Sequence, residues 1–366
     1  QGVQVFSAGR FMAARKKARP QINDPTSGAL VNGSSRVLRK VQISSLGTHV
    51  PPRVLTNEDL ERMVETSNDW ILKRTGIRER HIAEENVATS DLASEAARRA
   101  IVKAGLTPKD IEFIVVGTTT PDHFFPSTAC LVQDKIGAAG AWGFDLGAAC
   151  SGFTYAVTTA AHLVASGAHE HALAIGADVM SRIINYEDRS TCVIFGDGAG
   201  AVVVSPAVDP ELSIIDFAHE VDGSGGPALR MPAGGSRMPA THETVDQRLH
   251  YVHQDGAAVF KFAVRKTSEI SRRVLERNGL QPGDVDLFVS HQANRRIILA
   301  AAKEIGVSQE KVVINIERFG NTTGATIPLA LSDGLADQRL KKGDLVLLAS
   351  VGAGFTVGSV LLRWAY

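Results

Sequence analysis

Short, uninterrupted apolar runs recur along the chain. They include FIVVG (113–117), HALAIGA (171–177) and LVLLAS (345–350). Strands that are apolar on both faces are typical of a sheet covered by helices on both sides. The stretch CSGFTYAVTTAAHLVASG (150–167) is apolar nearly all round at helical spacing, which predicts a helix enclosed within the molecule. Together these patterns predict a layered α/β body.

One segment of the chain is repeated at long range. Residues 94–116, SEAARRAIVKAGLTPKDIEFIVV, align without gaps with residues 268–290, SEISRRVLERNGLQPGDVDLFVS, at an offset of 174. Each copy predicts an amphipathic helix, a Gly-Leu-x-Pro-x-Asp turn and a buried strand. A period near half the chain length indicates two similar halves packed together rather than a solenoid of short repeats.

The pattern of strands and helices continues beyond the repeated segment. A strand near 142–146 is predicted to lead into a helix beginning at Cys150, and a strand near 311–316 into a helix beginning at Asn321. Cys150 and Asn321 are therefore expected at corresponding positions, each at a helix N-terminus.

The chain divides into three segments: an N-terminal extension at 1–36, a first half at 37–205 and a second half at 206–366. The extension carries five basic residues before its first acidic one and then becomes rich in proline, glycine and serine. This composition favours a poorly ordered or cloning-derived extension over an Arg-rich organelle transit peptide. No catalytic role is assigned to it.

Composition narrows the classes of function. Lysine plus arginine (39) equals aspartate plus glutamate (39), so no global charge favours nucleic acid, and an acidic partner would need a local basic patch. No run reaches the roughly 18 apolar residues of a membrane span. Three cysteines among 366 residues argue against a disulfide framework and favour a reducing, cytoplasmic compartment.

Cys150 is the candidate nucleophile. It lies in GAACSGF, a strand-turn-helix context whose small residues let a backbone approach closely. A helix N-terminus favours an anion, so the thiol pKa is expected to be lowered there. Covalent catalysis suits this position. Cys130 and Cys192 have no such context and are interpreted as inert.

His291 and Asn321 are candidates from the second half. His291 follows a predicted strand in DLFVSHQAN, and the carboxyl ends of strands commonly form sites in α/β folds. Asn321 lies in FGNTTGAT. Taken alone, Asn321 is better explained as an N-cap, because Asn is favoured at that position.

Six motifs, in order, carry a resemblance to a known family. They are TSNDWILKRTGIRERHIA (66–83), GAACSGF (147–153), IFGDGAGA (194–201), HQANRRI (291–297), FGNTTGAT (319–326) and GAGFTVGS (352–359). From residue 37 onward the chain resembles β-ketoacyl-ACP synthase III. The resemblance implies a thiolase-like α/β fold with five α-β-α-β-α layers, a homodimer, and a Cys-His-Asn triad at Cys150, His291 and Asn321.

The resemblance also implies a reaction. Cys150 would accept an acyl group from acyl-CoA while the backbone N–H groups of Cys150 and Ala353 hold the oxyanion. Malonyl-ACP would then lose carbon dioxide, with His291 and Asn321 stabilising the enolate that attacks the acyl-cysteine. The products are β-ketoacyl-ACP, carbon dioxide and CoA, at the start of type II fatty acid synthesis. No metal and no permanently bound cofactor is expected.

The remaining family contacts fall on residues outside the triad. CoA would be bound by Thr66, Trp70, Arg74, Arg189, Gly256 and Asn294, and its adenine would lie between Trp70 and Arg189. Acyl carrier protein would dock on Arg296 and Arg295. Phe125 would cross the dimer interface to the partner's acyl pocket.

Rival interpretations remain open. Thiolases use a second cysteine in the carboxyl-terminal loop, and no cysteine follows Cys192, which excludes them. A related acyltransferase or polyketide-type synthase with a different acceptor is the enzymatic alternative, and an inactive acyl-carrier-binding scaffold is the non-enzymatic one. Ala353 departs from the family's often all-glycine loop, and the segment 221–250 is expected to be a variable loop near the substrate entrance.

Overall fold

The computed structural model describes residues 38–366, so the predicted extension at 1–36 lies outside the described residues. Within this range the strands β1 to β13 span, in order, Val41–His49, Val54–Thr56, Glu79–His81, Phe113–Gly117, Trp142–Leu146, Ala172–Asp178, Gly198–Pro206, Ile214–Val221, Leu229–Arg230, His253–Gln254, Leu287–Ser290, Leu345–Gly352 and Thr356–Arg363. The helices α1 to α10 span Asn57–Glu61, Asn68–Thr75, Thr89–Lys103, Thr128–Ile136, Gly152–Ala165, His242–Asp246, Gly256–Arg277, Arg295–Ile305, Ile316–Phe319 and Thr326–Ala336.

Two mixed sheets form the body. The first has the order β1-β7-β6-β4-β5, with β4 parallel to both β5 and β6 and with β7 antiparallel to β1 and β6. The second has the order β11-β12-β13-β8, with β11 parallel to β12 and the other pairs antiparallel. The first sheet is built from residues 41–206 and the second from residues 214–363.

Helices cover both faces of both sheets, because alternate side chains of each strand enter different apolar clusters. Helices α5 and α10 pack between the sheets, against the faces that carry Val115 and Leu348. Helices α3 and α4 cover the opposite face of the first sheet, and α7 and α8 that of the second. The layers therefore follow the predicted α-β-α-β-α order.

Both copies of the repeat fold as predicted. The first forms α3, a 3-10 turn at Pro108–Asp110 and β4, and the second forms α7, a turn at Pro282–Asp284 and β11. In each turn an aspartate accepts a backbone N–H three residues earlier, at 2.7 Å. This bond explains why the Gly-Leu-x-Pro-x-Asp pattern ends the helix and starts the strand.

The predicted strand near 311–316 is wrong. This segment has an isolated bridge between Phe288 and Val312 and then the short helix α9. The side chain of Gln292 takes the place of a ladder partner: its Nε2 donates to the Val313 carbonyl at 3.1 Å, and its Oε1 accepts from Asn315 N at 3.1 Å. The corresponding prediction near 142–146 is confirmed by β5, an edge strand.

The predicted enclosed helix is α5. It begins at Gly152, after a 3-10 turn at Ala149–Ser151, rather than at Cys150 itself. Most of its residues are buried, including Phe153 and Val157. No helix of residues 38–366 is long and apolar enough to cross a membrane.

Candidate active site

A cavity of about 530 Å³ brings the three predicted catalytic residues together, since Cys150, His291 and Asn321 all line it. They come from three different places in the fold. Cys150 lies in the turn between β5 and α5, His291 directly follows β11, and Asn321 lies between α9 and α10. Each is at most 7% exposed, so all three are almost fully withdrawn from solvent.

The Cys150 thiol is less acidic than the sequence predicts. Burial, and secondarily the charge of Asp178, raises the pKa of Cys150 to about 12. The expected lowering at a helix N-terminus was wrong because α5 begins two residues later and the thiol is withdrawn from water. In the free protein the thiol is protonated near neutral pH.

Two backbone N–H groups beside the thiol are available to an anion. The hydrogen bonds of residues 38–366 leave the N–H groups of Cys150 and Ala353 without a protein acceptor. The turn is tight: a Cβ added to Gly352 would lie 2.7 Å from Cys150 N and 2.8 Å from the Ala148 carbonyl oxygen. Only glycine at residue 352 therefore keeps the Cys150 N–H accessible.

His291 is a neutral imidazole in this site. Burial lowers the pKa of His291 to about 3. Its Nδ1 lies 2.7 Å from the Thr326 hydroxyl at the start of α10. A neutral ring carries one N–H, so the partner of Nδ1 determines whether Nε2 is a donor or an acceptor.

Asn321 is held as a hydrogen-bond donor. Its Oδ1 accepts from Thr323 N at 2.9 Å, and no protein acceptor in residues 38–366 takes the Nδ2 hydrogens. Asn321 is not the N-cap of α10, since that position belongs to Ala325. It lies five residues before α10, whereas Cys150 lies two residues before α5, so the predicted correspondence of the two residues is wrong.

Asp178, at the end of β6, was missed in the sequence. It is fully buried and accepts hydrogen bonds from Thr118, Thr119 and Thr120 on one oxygen. Its other oxygen accepts from the Thr323 hydroxyl and from Gly324 N. The signal that could have found it is its place directly after the apolar run 171–177, at the carboxyl end of a strand.

The predicted CoA groove leads out from the cavity. Trp70 and Arg74 line the cavity, and the Arg189 guanidinium lies 5.0 Å over the Trp70 ring. Arg189 therefore occupies the place expected for adenine and must move for a purine to stack there. The Thr66 hydroxyl is buried without a hydrogen-bond partner, as expected of a group that binds a ligand. Thr66 and Arg189 lie outside the cavity lining itself.

The start of α8 carries further predicted contacts. Asn294, its N-cap, accepts from Arg296 N and donates to the Arg74 carbonyl, both at 2.9 Å. Arg296 lies at the cavity with its guanidinium 5.3 Å over the Phe260 ring. Arg295 packs beside Gly76, away from the cavity lining.

Of the two other predicted site residues, one lines the cavity and one does not. Gly256, the first residue of α7, lines it. Phe125 does not; its side chain is 86% exposed, beside Phe124 at 84%. In residues 38–366 no group of three or more His, Cys, Asp or Glu side chains is placed to hold a metal ion.

Comparison with known proteins identifies the family of the chain. The model of "3-Oxoacyl-[acyl-carrier-protein (ACP)] synthase III" matches residues 144–223, and the model of its C-terminal part matches residues 275–364. A β-ketoacyl-[acyl-carrier-protein] synthase III of Solibacter usitatus is 60% identical over 329 residues, 89% of this chain and 99% of that protein.

Solved structures have the same fold. The 3-oxoacyl-[acyl-carrier-protein] synthase III of Aquifex aeolicus is 42% identical, with a TM-score of 0.81 over 88% of this chain and 100% of that one. The priming β-ketosynthase of the R1128 polyketide pathway is 34% identical, with a TM-score of 0.83 over 90% of this chain and 97% of that one. The chain belongs to the β-ketoacyl-[acyl-carrier-protein] synthase III family of thiolase-fold condensing enzymes, which are acyltransferases.

Proposed function

We propose that this enzyme joins an acyl group from acyl-CoA to malonyl-ACP by decarboxylative Claisen condensation, releasing carbon dioxide and CoA. The reaction would begin type II fatty acid synthesis. One observation carries the proposal: the buried Cys150 thiol and the side chains of His291 and Asn321 line one cavity. The N–H groups of Cys150 and of Ala353, which follows the lining residue Gly352, have no protein acceptor among the described residues. The backbone N–H groups can stabilise the oxyanion formed when sulfur attacks the first thioester. The two side-chain donors can stabilise the enolate formed from the second.

In the first step Cys150 sulfur bonds to the acyl carbon and the bond to CoA sulfur breaks. The proton that Cys150 loses is transferred to the departing CoA sulfur, so CoA leaves as the thiol and both charge and protons balance. The N–H groups of Cys150 and Ala353 hold the oxyanion, and a donor of this kind typically contributes about 3–4 kcal/mol. This interaction offsets part of the cost of ionising a buried thiol.

In the second step malonyl-ACP binds and its carboxylate leaves as carbon dioxide. The electron pair forms an enolate on the thioester, whose oxygen accepts hydrogen bonds from Asn321 Nδ2 and His291 Nε2. The enolate carbon then attacks the acyl-cysteine and frees the Cys150 thiolate. Burial keeps both donors in a site of low dielectric, where they stabilise developing charge most effectively.

Mutation of the nucleophile tests this assignment. Cys150→Ser should abolish the acyl adduct seen by intact-protein mass spectrometry after incubation with acetyl-CoA, because no thiolate forms. Cys130→Ser is the matched control, since Cys130 is an exposed free thiol outside the cavity. An adduct that persists in Cys150→Ser would refute the assignment.

We propose that the carrier protein docks at Arg296, with Arg295 beside it. Arg296 lies at the cavity mouth without an acidic partner among the ion pairs of residues 38–366, so its charge is available to an acidic carrier. Arg74 and Asn294 join this surface to the CoA groove.

Reversal of one charge tests the docking site. Arg296→Glu should raise the KM for malonyl-ACP about tenfold and leave the KM for malonyl-CoA nearly unchanged, because no catalytic group is touched. Lys109→Glu, before β4 at the opposite ends of the strands, is the control. Equal losses with both donors would make Arg296 a structural residue.

We propose a homodimer formed along β5. This strand is the edge of the first sheet, and its Trp142 and Phe144 are 51% and 38% exposed. An exposed apolar edge strand is a template for pairing with another strand. Phe124 and Phe125 are exposed in the loop before α4, whose first residue, Thr128, donates its N–H to Asp145 of β5. Their exposure supports Phe125 as a contributor to the partner's acyl pocket. Sedimentation of the full chain would measure the assembly.

A second candidate is a polyketide-type priming enzyme with a different primer or acceptor, which the similarity to the R1128 priming β-ketosynthase favours. A survey of acyl-CoA primers with malonyl-ACP, following carbon dioxide release and product mass, distinguishes the two. The three free cysteines and a mechanism that needs a reduced Cys150 support a cytoplasmic location.

A further inference from the structure

The contact between the His291 ring and the Thr326 hydroxyl has no counterpart in the other half of the fold. His291 and Thr326 correspond, at the repeat offset of 174 residues, to Gly117 and Gly152. Those two glycines pack backbone to backbone: a Cβ on Gly117 would lie 2.5 Å from the Gly152 carbonyl carbon. The first half therefore packs strand against helix at this position with no side chain between them. The fold itself does not require the His291–Thr326 contact.

The Thr326 hydroxyl has one hydrogen and two neighbouring acceptors. It lies 2.7 Å from His291 Nδ1 and 3.0 Å from the Thr323 carbonyl oxygen. The Thr323 carbonyl already accepts the backbone N–H of Thr326. Among the described residues Nδ1 has no other partner. If the hydroxyl donates to Nδ1, each acceptor has one donor. In the opposite arrangement Nδ1–H donates to the hydroxyl and the hydroxyl to the Thr323 carbonyl, which places two donors on that carbonyl.

We propose that Thr326 is a positioning residue that donates its hydroxyl hydrogen to His291 Nδ1 and so fixes the Nε2–H tautomer. This inference rests on the proposed role of His291 as a donor to the thioester oxygen. With Nδ1 occupied as an acceptor, the single ring hydrogen is on Nε2, the atom that must donate when the enolate forms. The opposite tautomer would face the enolate with a lone pair.

The proposal also separates His291 from the activation of the thiol. A neutral ring with hydrogen on Nε2 has no lone pair there to take the Cys150 proton. Acylation should therefore depend little on Thr326, and decarboxylation should depend on it strongly. A merely structural role for Thr326 would weaken both steps together.

The test compares Thr326→Val, which keeps the shape and removes the hydroxyl, with Thr326→Ser, which keeps the hydroxyl. Full-length protein labelled with ¹⁵N-histidine gives long-range ¹H–¹⁵N spectra that distinguish protonated from bare ring nitrogens, and His291→Gln assigns the signal. Carbon dioxide release from malonyl-ACP and acetyl transfer to Cys150 are measured beside it.

We expect the Nε2–H tautomer in the unaltered protein and in Thr326→Ser. Thr326→Val should lose this preference and release carbon dioxide about 10- to 100-fold more slowly, the range seen for groups behind metal-bound histidines, with acylation nearly retained. An Nδ1–H tautomer in an unaltered protein that decarboxylates malonyl-ACP would overturn the inference, even if Thr326→Val fails to fold. So would a Thr326→Val enzyme with unchanged tautomer and rate. An unaltered protein that releases no carbon dioxide would instead refute the proposed function.

Discussion

Two turns of the molecule have a similar backbone conformation, but only one of them binds a side chain of the protein. Ala149–Ser151 precedes α5 and Thr323–Ala325 precedes α10, again 174 residues apart. Each turn begins with a non-glycine residue at positive φ, 46° at Ala149 and 49° at Thr323. Alternation of right- and left-handed residues aims backbone N–H groups at a common point and makes a site for an anion.

In the second turn that site is filled. The Asp178 carboxylate accepts from the Thr323 hydroxyl and from Gly324 N at 3.2 Å. In the first turn the corresponding N–H is that of Cys150, and the residue corresponding to Asp178 is Gly352, which brings no side chain. One turn thus holds a fixed carboxylate, and the other leaves the same position open, where we propose that the oxyanion binds.

Closing the open turn should have the larger effect. Gly352→Ala places a methyl group 2.7 Å from Cys150 N, where the oxyanion would bind. We expect acyl transfer from acetyl-CoA to fall about 10²- to 10³-fold, as when an oxyanion donor is removed. Rapid-quench measurement of labelled acetyl on the protein gives the rate.

Gly343→Ala is a control for the loss of a glycine, since no atom lies within 4 Å of its Cβ position. Gly343→Ala carries a stability cost because Gly343 has a positive φ, and Gly352→Ala carries one because its methyl group meets backbone atoms. The stabilities of the two variants are compared by thermal unfolding. Normal acylation in folded Gly352→Ala would contradict an oxyanion site at Cys150 N.

Emptying the filled turn should have the smaller and more selective effect. Asp178→Asn keeps the shape of the side chain but replaces one accepting oxygen with an NH₂ group, which leaves buried donors without an acceptor. We therefore expect the free energy of unfolding to fall by about 3 kcal/mol. Carbon dioxide release should fall about 10- to 100-fold because Thr323 positions Asn321.

Cys150 should respond in the opposite direction. The charge of Asp178 raises the pKa of the thiol, so its removal should lower that pKa and speed alkylation by iodoacetamide at neutral pH. Asp145→Asn, which removes a carboxylate that accepts two N–H groups of α4, is the control for general destabilisation. Slower alkylation in Asp178→Asn than in this control would contradict the electrostatic account.

The sequence predicts the layered fold, Cys150 and His291 from local patterns. Asn321 was assigned only through the family resemblance, because its local pattern indicated an N-cap. The apolar runs and the repeat determine which segments become covered strands, and Cys150 and His291 follow such strands directly. The strand near 311–316 was wrong because a single side chain, Gln292, replaces a strand partner. Nothing in the local pattern of residues 311–316 indicates that substitution.

The electrostatics of the site could not be predicted in the same way. The raised pKa of Cys150 and the lowered pKa of His291 follow from burial between elements distant in sequence. Asp178 contacts Thr323, 145 residues away along the chain, and Thr326 contacts His291, 35 residues away. Their roles are visible only once the turns are packed together.

We propose that Cys150 accepts the acyl group and that Asn321 and His291 serve the decarboxylation. The most direct measurement is labelled acetyl transfer to the protein run beside carbon dioxide release from malonyl-ACP in Asn321→Ala. Thr322→Ala is the matched control, because Thr322 is next to Asn321 in the chain and its own hydroxyl is buried without a hydrogen-bond partner. In Asn321→Ala alone we expect near-normal acetyl transfer and a loss of about 10²-fold or more in carbon dioxide release. Equal loss of both activities in a folded protein would contradict this proposal and would make Asn321 a support for the nucleophile's surroundings.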